Sequence, residues 1–551
     1  MKLYPPKDLR SYSFEKLSGY ELNDFDVDRF LPVLFQLVVT RGWGLGRSDA
    51  QPTEAARYIE ELARHPSMRG FDNEHGRAVL EQWVNTTVVR LGYEGRGRRE
   101  IQLAAVQPIH IGAYRAGLPV EGTRHRKVHL VVHRLLRDAL ERRGHQNPAE
   151  ALRELFLHAF GDGVTISHEG VPAFDGTTAT LDANVLLSLY YLEAFSAGRP
   201  LKVSRRPLDW DPVMPGVMVD LGDQLLDFLS VYQRGLPTIA LAHHLAALVN
   251  LGLFTTSLRL FHLVNDVTRG GSDPADLAAD LPTAQTEIYV DFTRQLGGDS
   301  DRLAGECVDR DLERLPTYLE GMLLLKTLDR YGRNEARLRH YIEHKTGPDW
   351  LRGLLAMRAD PLVELRAGFE LEQIVTETAK YNDCTADEAR AEIERATPSD
   401  GQLDQVVAAI RESQKANAMK SARAWFWNTG GMRKQAGLLR GNQRGKQAWR
   451  YAMTDELLTT LLLSTLVDRD TGEALPRMRL GTLLERFEAD WGLLIARPPA
   501  GYADAASRAV ASANLTAFTG RLRQMGFFSD LSDDFNAQYV TNPLIAAGAH
   551  R

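Results

Sequence analysis

Residues 480–491 read LGTLLERFEADW, and Leu480, Leu483, Leu484, Phe487 and Trp491 fall at i, i+3, i+4, i+7 and i+11, one face of a helix. Upstream, TDELLTTLLLSTLV (454–467) is an apolar helix begun by Thr454 and Asp455, and DRDTGEALPR (468–477) is a turn-rich connector. Downstream, ARPPAGYAD (496–504) breaks the chain, and Leu515, Phe518, Leu522 and Met525 then recur at spacings of 3, 4 and 3. FFSDLSDDFNAQYVTNP (527–543) reads as strand, Asp-rich turn, strand. Three short helices and a terminal β-hairpin is the order of a winged helix-turn-helix domain, an order that other small α+β modules share.

Outward from this end, most of the chain reads as helix. Phe30–Val39, Ala55–Arg64, Arg77–Val89 and His129–Arg143 are helical stretches, and GDGVTISHEGVPAFDGTTATLDA (161–183) reads as a short β-ribbon before a helix around Asn184–Phe195. The four prolines and two glycines of residues 198–216 mark a boundary. Leu221–Tyr232, Ile239–Leu251, Ser257–Val267, Leu312–Tyr331, Glu335–Glu343, Trp350–Met357 and Leu362–Ala379 follow as helices. TPSDGQLD (397–404) marks a second boundary, with Asp400 placed to cap the next helix. The expected class is therefore mainly α: irregular helical domains followed by a C-terminal winged helix-turn-helix domain. The divisions are a helical domain at 1–205, a second at 206–400, a basic aromatic connector at 401–452 and a winged-helix-like domain at 453–551. No fixed-period repeat and no strand–helix alternation is present.

The bulk composition is that of an ordinary folded protein: 44% hydrophobic, 25% charged, net charge −6. A protein coating nucleic acid over its whole surface would be basic, so any such contact must be local. Cys307 and Cys384 make no metal or disulfide framework, and the start MKLYPPKDLR lacks an apolar signal core, which together point to the cytoplasm. Leu236–Leu258 carries no formal charge and is long enough to span a bilayer. It also holds Pro237, His243, His244, Asn250, Thr255, Thr256 and Ser257, so a buried core helix or helix pair is expected and no membrane contact.

Between Glu412 and Asp455 there is not one acidic residue, while nine cations fall in the same 42 residues. Setting those cations aside, the remainder of the chain is near −15. Lys415, Lys420, Arg423, Arg433, Lys434, Arg440, Arg444, Lys446 and Arg450 are interleaved with Trp425, Phe426, Trp427, Trp449 and Tyr451. Cations, planar side chains and glycines together suit a phosphate backbone and stacked bases. A solvated helix face normally mixes both signs. Lys420, Arg423, Arg433, Lys434, Arg440, Arg444, Lys446 and Arg450 are thus the expected phosphate contacts. Trp425, Trp427 and Trp449 would stack on bases or lock the segment in place. In the third C-terminal helix, Arg508, Arg521 and Arg523, with Ser512, Asn514 and Thr516, are the candidate groove readers, although Asp504, Asp530, Asp533 and Asp534 lie close by. The same basic run could instead dock on an acidic partner, or on the acidic remainder of this chain.

The ending RLRQMGFFSDLSDDFNAQYVTNPL (521–544), after a basic aromatic segment and a long helical body, resembles large accessory proteins of bacterial anti-phage defence loci, of the methylation-associated or phosphorothioation-linked kinds. It covers roughly residues 410–551, with fainter similarity near 218–265, and rests on texture rather than on a motif. The resemblance implies a multi-protein system and carries over no catalytic residue.

Local catalytic signatures fail on inspection. Gly441-Asn442-Gln443-Arg444-Gly445-Lys446-Gln447 has three residues between its glycines where a phosphate loop has four, and ends in Gln. Gly42-Trp43-Gly44-Leu45-Gly46 lacks a βαβ context. His125, His129 and His133 share a helix face but have no intervening Glu and no nearby Cys. A second basic patch, Arg96, Arg98, Arg99, Arg124, His125, Arg126, Lys127, Arg134, Arg137, Arg142 and Arg143, could extend a nucleic-acid track, but it is interleaved with acids and reads first as salt-bridged surface. The expectation is a non-catalytic DNA-binding or DNA-sensing scaffold subunit of a defence complex, with no cofactor and no metal. The alternatives are a protein–protein assembly factor and a cryptic metal-dependent nuclease.

Overall fold

In the computed structural model, which describes residues 1–27, 30–45, 59–60, 62–66, 69–83, 89–93, 101–106, 111, 125–161, 164–166, 172–174, 203–205, 208, 210–269, 286–396, 401–441, 449–528 and 538–546, the chain is mainly helical. The longer helices are α1 (Phe30–Val39), α2 (Glu74–Trp83), α3 (Val128–Arg142), α4 (Pro148–Phe160), α5 (Pro215–Tyr232), α6 (Thr238–Arg269), α7 (Asp299–Asn334), α8 (Gly347–Met357), α9 (Pro361–Asn382), α10 (Ala386–Ala396), α11 (Gln402–Thr429), α12 (Asp455–Thr465), α13 (Leu480–Trp491) and α14 (Ala505–Gln524). The strands are short: β1 (Gly44–Leu45), β2 (Val89–Tyr93), β3 (Ile101–Val106), β4 (Val164–Ile166), β5 (Pro172–Phe174), β6 (Val203–Arg205), β7 (Ile288–Tyr289), β8 (Leu439–Arg440), β9 (Arg450–Tyr451), β10 (Arg477–Arg479), β11 (Leu493–Leu494) and β12 (Tyr539–Thr541). They pair two by two, and β7–β11 is the parallel pair among those described.

Helix starts follow local chemistry. Asn147, Asp360, Thr454 and Asp504 each accept a backbone N–H from the first turn of α4, α9, α12 and α14, and Pro148 and Pro361 sit where their missing N–H costs nothing. Asp400 lies outside the described residues. The first turn of α11 is met instead by Glu364 of α9, whose Oε2 accepts from Gln402 N at 2.8 Å and Leu403 N at 3.4 Å.

The uncharged stretch after Leu236 differs from a helix pair: it is one unbroken 32-residue helix, α6. Its hydroxyls do not break it because they bond back along it, Ser257 Oγ to Leu253 O at 2.7 Å and Thr268 Oγ1 to Val264 O at 2.6 Å. By length and composition α6 could cross a membrane, but 67% of its most apolar window is buried inside the protein. It packs against α5, α7, α11 and α12. α7 is likewise longer than expected, 36 residues with Pro316 inside it, while Glu335–Glu343 forms no α-helix and holds a short 3-10 turn at Arg339–Tyr341. Val89, expected as a helix end, begins β2. The ribbon expected in 161–183 is the β4–β5 hairpin; the helix expected around Asn184–Phe195 lies outside the described residues. Buried side chains from Leu3 to Val540 join one continuous core, with contributions from all four stretches divided above.

At the C-terminal end, the connector 468–477 contains a feature that composition hid. Arg477–Arg479 forms β10, antiparallel to β12 with Met478 opposite Val540, and Val540 also bridges Phe528. Leu480, Leu483, Phe487 and Trp491 of α13 are buried as their spacing requires.

Candidate functional site

The acid-free stretch 413–454 occupies the second half of α11, the turn beyond it, and the β8–β9 hairpin. On α11 the residues Ala418, Ala422, Trp425, Phe426 and Thr429 are buried, so this face is core. Trp425 stacks on Tyr20, with ring centroids 4.7 Å apart and planes 10° from parallel, and its Nε1 donates to Ser257 Oγ at 2.9 Å. Ser257 gives its own proton to Leu253 O, and Tyr20 Oη lies 3.0 Å from its oxygen, so this buried hydroxyl is fully used. Trp425 therefore has no face left for a base, and of the two roles expected of it, stacking or locking the segment in place, the packing fits the second. Trp449 is also buried; its ring lies parallel to Phe426 and meets Trp427 edge-on. Trp427 is the partly exposed member of the three. Apolar area outweighed the base-stacking geometry: a large ring beside a core helix is driven inward.

The glycines after α11 reverse the chain rather than cradle a ligand. Gly431 has φ +70°, and a Cβ there would lie 2.7 Å from Gly437 Cα, so only glycine permits the close return of the strand. β9 is then pinned from below. Tyr451, fully buried, donates its hydroxyl to Asp311 Oδ2 of α7 at 2.8 Å, and the same carboxylate accepts from Arg310 Nε and Arg314 Nη1 at 3.0 Å each. Three donors make a buried carboxylate tolerable. Burial and the Asp311 charge push the Tyr451 phenol well above its usual range, and burial pushes the neighbouring Cys307 thiol up to about 11.

The cations divide into two sets. Lys434 Nζ pairs with Asp26 at 3.3 Å and Arg450 Nε with Asp301 at 2.5 Å. Arg521, expected as a groove reader, donates Nε to Asp455 Oδ1 at 2.7 Å and Nη2 to the other oxygen, while Arg294 Nη2 shares Oδ1 at 2.8 Å. These side chains serve the chain's own acidic remainder. Lys420, exposed, and Arg423, half-buried, lie three apart on α11 and make no hydrogen bond or ion pair with a described residue. Arg433 is exposed just past the helix, and Arg440 is half-buried on β8. Arg444 and Lys446 lie outside the described residues.

On α14, Asn514 is fully buried and bonds the backbone of Phe292, Val290 and Ile495, so it reads no groove. Phe518 packs beside it on Phe292 and Phe487. Arg508, Ser512, Thr516 and Arg523 remain on the outer side. Arg508 Nη2 donates to Ala503 O at 2.8 Å, and Arg523 lies over the Phe528 ring at 5.2 Å.

The second basic patch is largely neutralised where it is described: Arg126 pairs with Glu21 and Asp24, Lys127 with Glu15, Arg134 and Arg137 with Asp138, and Arg142 and Arg143 with Asp223. Of the three histidines, His133 is buried, and its Nε2 finds no hydrogen-bond partner among the described residues. Burial, reinforced by Arg137, holds its pKa down at about 4. Among the described residues no group of three His, Cys, Asp or Glu side chains is placed to hold a metal ion.

The family model described as methylation-associated defense system protein MAD7 matches residues 7–544. The chain belongs to this family. Membership in a methylation-associated defence system follows, and the match extends the resemblance seen at the C-terminal end to nearly the whole chain. No curated protein and no solved structure matches it. The family description names no activity, so the residues must carry the functional argument. The Trp425–Ser257–Tyr20 contact could not be found from local sequence, because its partners lie 168 and 237 residues apart along the chain.

Proposed function

We propose that this member of the family is a non-catalytic, DNA-contacting scaffold subunit of a methylation-associated defence complex, and that its 455–541 region is a winged-helix module. The observation that carries the reading is the Lys420–Arg423 face, which has no ion-paired carboxylate among the described residues and lies in a 42-residue stretch that holds no acid, while neighbouring cations pair internally. The order α12, β10, α13, β11, α14, the strand position Phe528, then β12 supports the module, as does the antiparallel pairing of β10 with β12 and the Phe528–Val540 bridge, while β11 pairs with β7 outside it. Arg508, Ser512, Thr516 and Arg523 would then face the groove.

With Trp425 and Trp449 committed to the core, contact falls on phosphates rather than bases, so binding should depend little on sequence and steeply on salt. The test is fluorescence anisotropy of labelled duplex DNA with the purified full chain. Binding at low salt that weakens with a log–log slope of about −0.9 per contacted phosphate is expected. No binding at low salt overturns the reading. One observation favours a second reading, an assembly protein docking an acidic subunit: carboxylates of this chain already hold Lys434, Arg450 and Arg521. Retained binding to such a subunit without DNA binding would select it. Cleavage of DNA in Mg²⁺ or Mn²⁺, abolished by a single carboxylate or His substitution, would replace both with a nuclease.

A further inference from the structure

Arg440 and Arg450 stand directly opposite one another across the antiparallel β8–β9 pair. Opposed residues project to the same face of a ribbon, and like charges there weaken the pairing. Arg450 is relieved by Asp301. Arg440 has no carboxylate within ion-pairing distance among the described residues. Burial and the like charges of Arg450 and Arg294 press its pKa downward, against the attraction of Glu456. Arg294 itself, exposed, shares Asp455 with Arg521. Among the described residues, Asp301 and Asp455 pair with Arg450, Arg294 and Arg521, Asp291 accepts from the Arg294 backbone N–H, and Arg440 is the member of this arginine group without an ion pair. The sequence between the two strands adds Arg444 and Lys446 and no acid. A ribbon only two residues long on each side has little pairing energy to spend on such repulsion.

We propose that Arg440, Arg450 and Arg294 form a phosphate-binding site at the foot of the β8–β9 hairpin, and that it seats one phosphate of a DNA backbone. The choice of DNA rests on the reading above; the chemistry does not, since any phosphate presents the same oxygens to guanidinium forks. A bound phosphate removes the repulsion that the empty site carries, so the site ties anion binding to the stability of the hairpin.

The test uses the full chain and Arg440→Gln. In chloride buffer R440Q melts at or above the wild-type temperature, because a repulsion has been removed. An arginine kept for structure gives the reverse. Inorganic phosphate, exchanged for chloride at matched ionic strength, raises the wild-type melting temperature and leaves R440Q unmoved. On duplex DNA the salt slope of R440Q is shallower by about 0.9. A lower melting temperature for R440Q, with phosphate acting equally on both proteins, overturns the site. If that happens while wild type binds DNA, the DNA reading stands alone. If phosphate acts only on wild type and no duplex binds at low salt, the site stands, its ligand is a free phosphorylated compound, and the DNA reading falls. Should R440Q not fold, R440K keeps the charge but loses the two-armed geometry; it is expected to lose the phosphate response, and a full response contradicts the site.

Discussion

Lys420 and Arg423 on α11 and Lys434 and Arg450 farther along belong to one acid-free stretch, yet the first pair has no ion-paired carboxylate among the described residues and the second is held by Asp26 and Asp301. The difference lies in what each half rests on. Around Lys420 the fully buried side chains are the small Ala418 and Ala422, with Met419 partly buried against the core. From Trp425 onward the chain is drawn under by its aromatic rings and by the Tyr451–Asp311 bond, which brings its cations against the acidic body. Charge composition alone does not distinguish a binding surface from an internal seam; the side chains beneath it do.

The largest way to break this contrast is in the core. Trp425→Ala is expected to cost about 3–5 kcal/mol, as for other large aromatic truncations, measured by urea unfolding. Trp427→Ala, on the partly exposed side of the same helix, should cost less than half as much. Equal losses would mean that the inward and outward faces are not distinct. Next in size, Tyr451→Phe removes one of three donors to a buried carboxylate, and a loss of about 1–3 kcal/mol is expected. An unchanged midpoint would show that the hairpin is not anchored through Asp311.

Asp455→Asn sharpens the contrast from the paired side. Asp455 is partly exposed, so losing its pairs with Arg294 and Arg521 should destabilise by no more than about 1 kcal/mol. It also releases two arginines, so DNA affinity is expected to rise; a fall would show that the carboxylate orders the surface rather than competing for it. Smallest of all, Lys420→Ala with Arg423→Ala should leave stability within about 0.5 kcal/mol of wild type, since Lys420 is exposed, Arg423 is half-buried, and neither makes an ion pair with a described residue.

Sequence made the helical class legible because the 3.6-residue period of α13 and the spacing of Phe518 and Leu522 in α14 are local signals. It left α6 open between one helix and a pair, since Thr255 and Ser257 look like a break until their bonds to the preceding turn are seen. It missed β10 because three residues with two arginines carry no apolar alternation. For the candidate surface, it located the charge and could not locate the partners: Asp26 lies 408 residues from Lys434. The role of Trp425 was open for the same reason. A tryptophan among cations reads alike whether it stacks on a base or on Tyr20.

The most direct measurement compares salt slopes for duplex DNA binding among wild type, the Lys420→Ala/Arg423→Ala double variant and Lys434→Ala. If Lys420 and Arg423 meet phosphates and Lys434, held by Asp26, does not, the double variant lowers the slope by about 1.8 and Lys434→Ala leaves it unchanged. A double variant with the wild-type slope, beside a Lys434→Ala variant that lowers it, would contradict the division of this surface into open and paired charge.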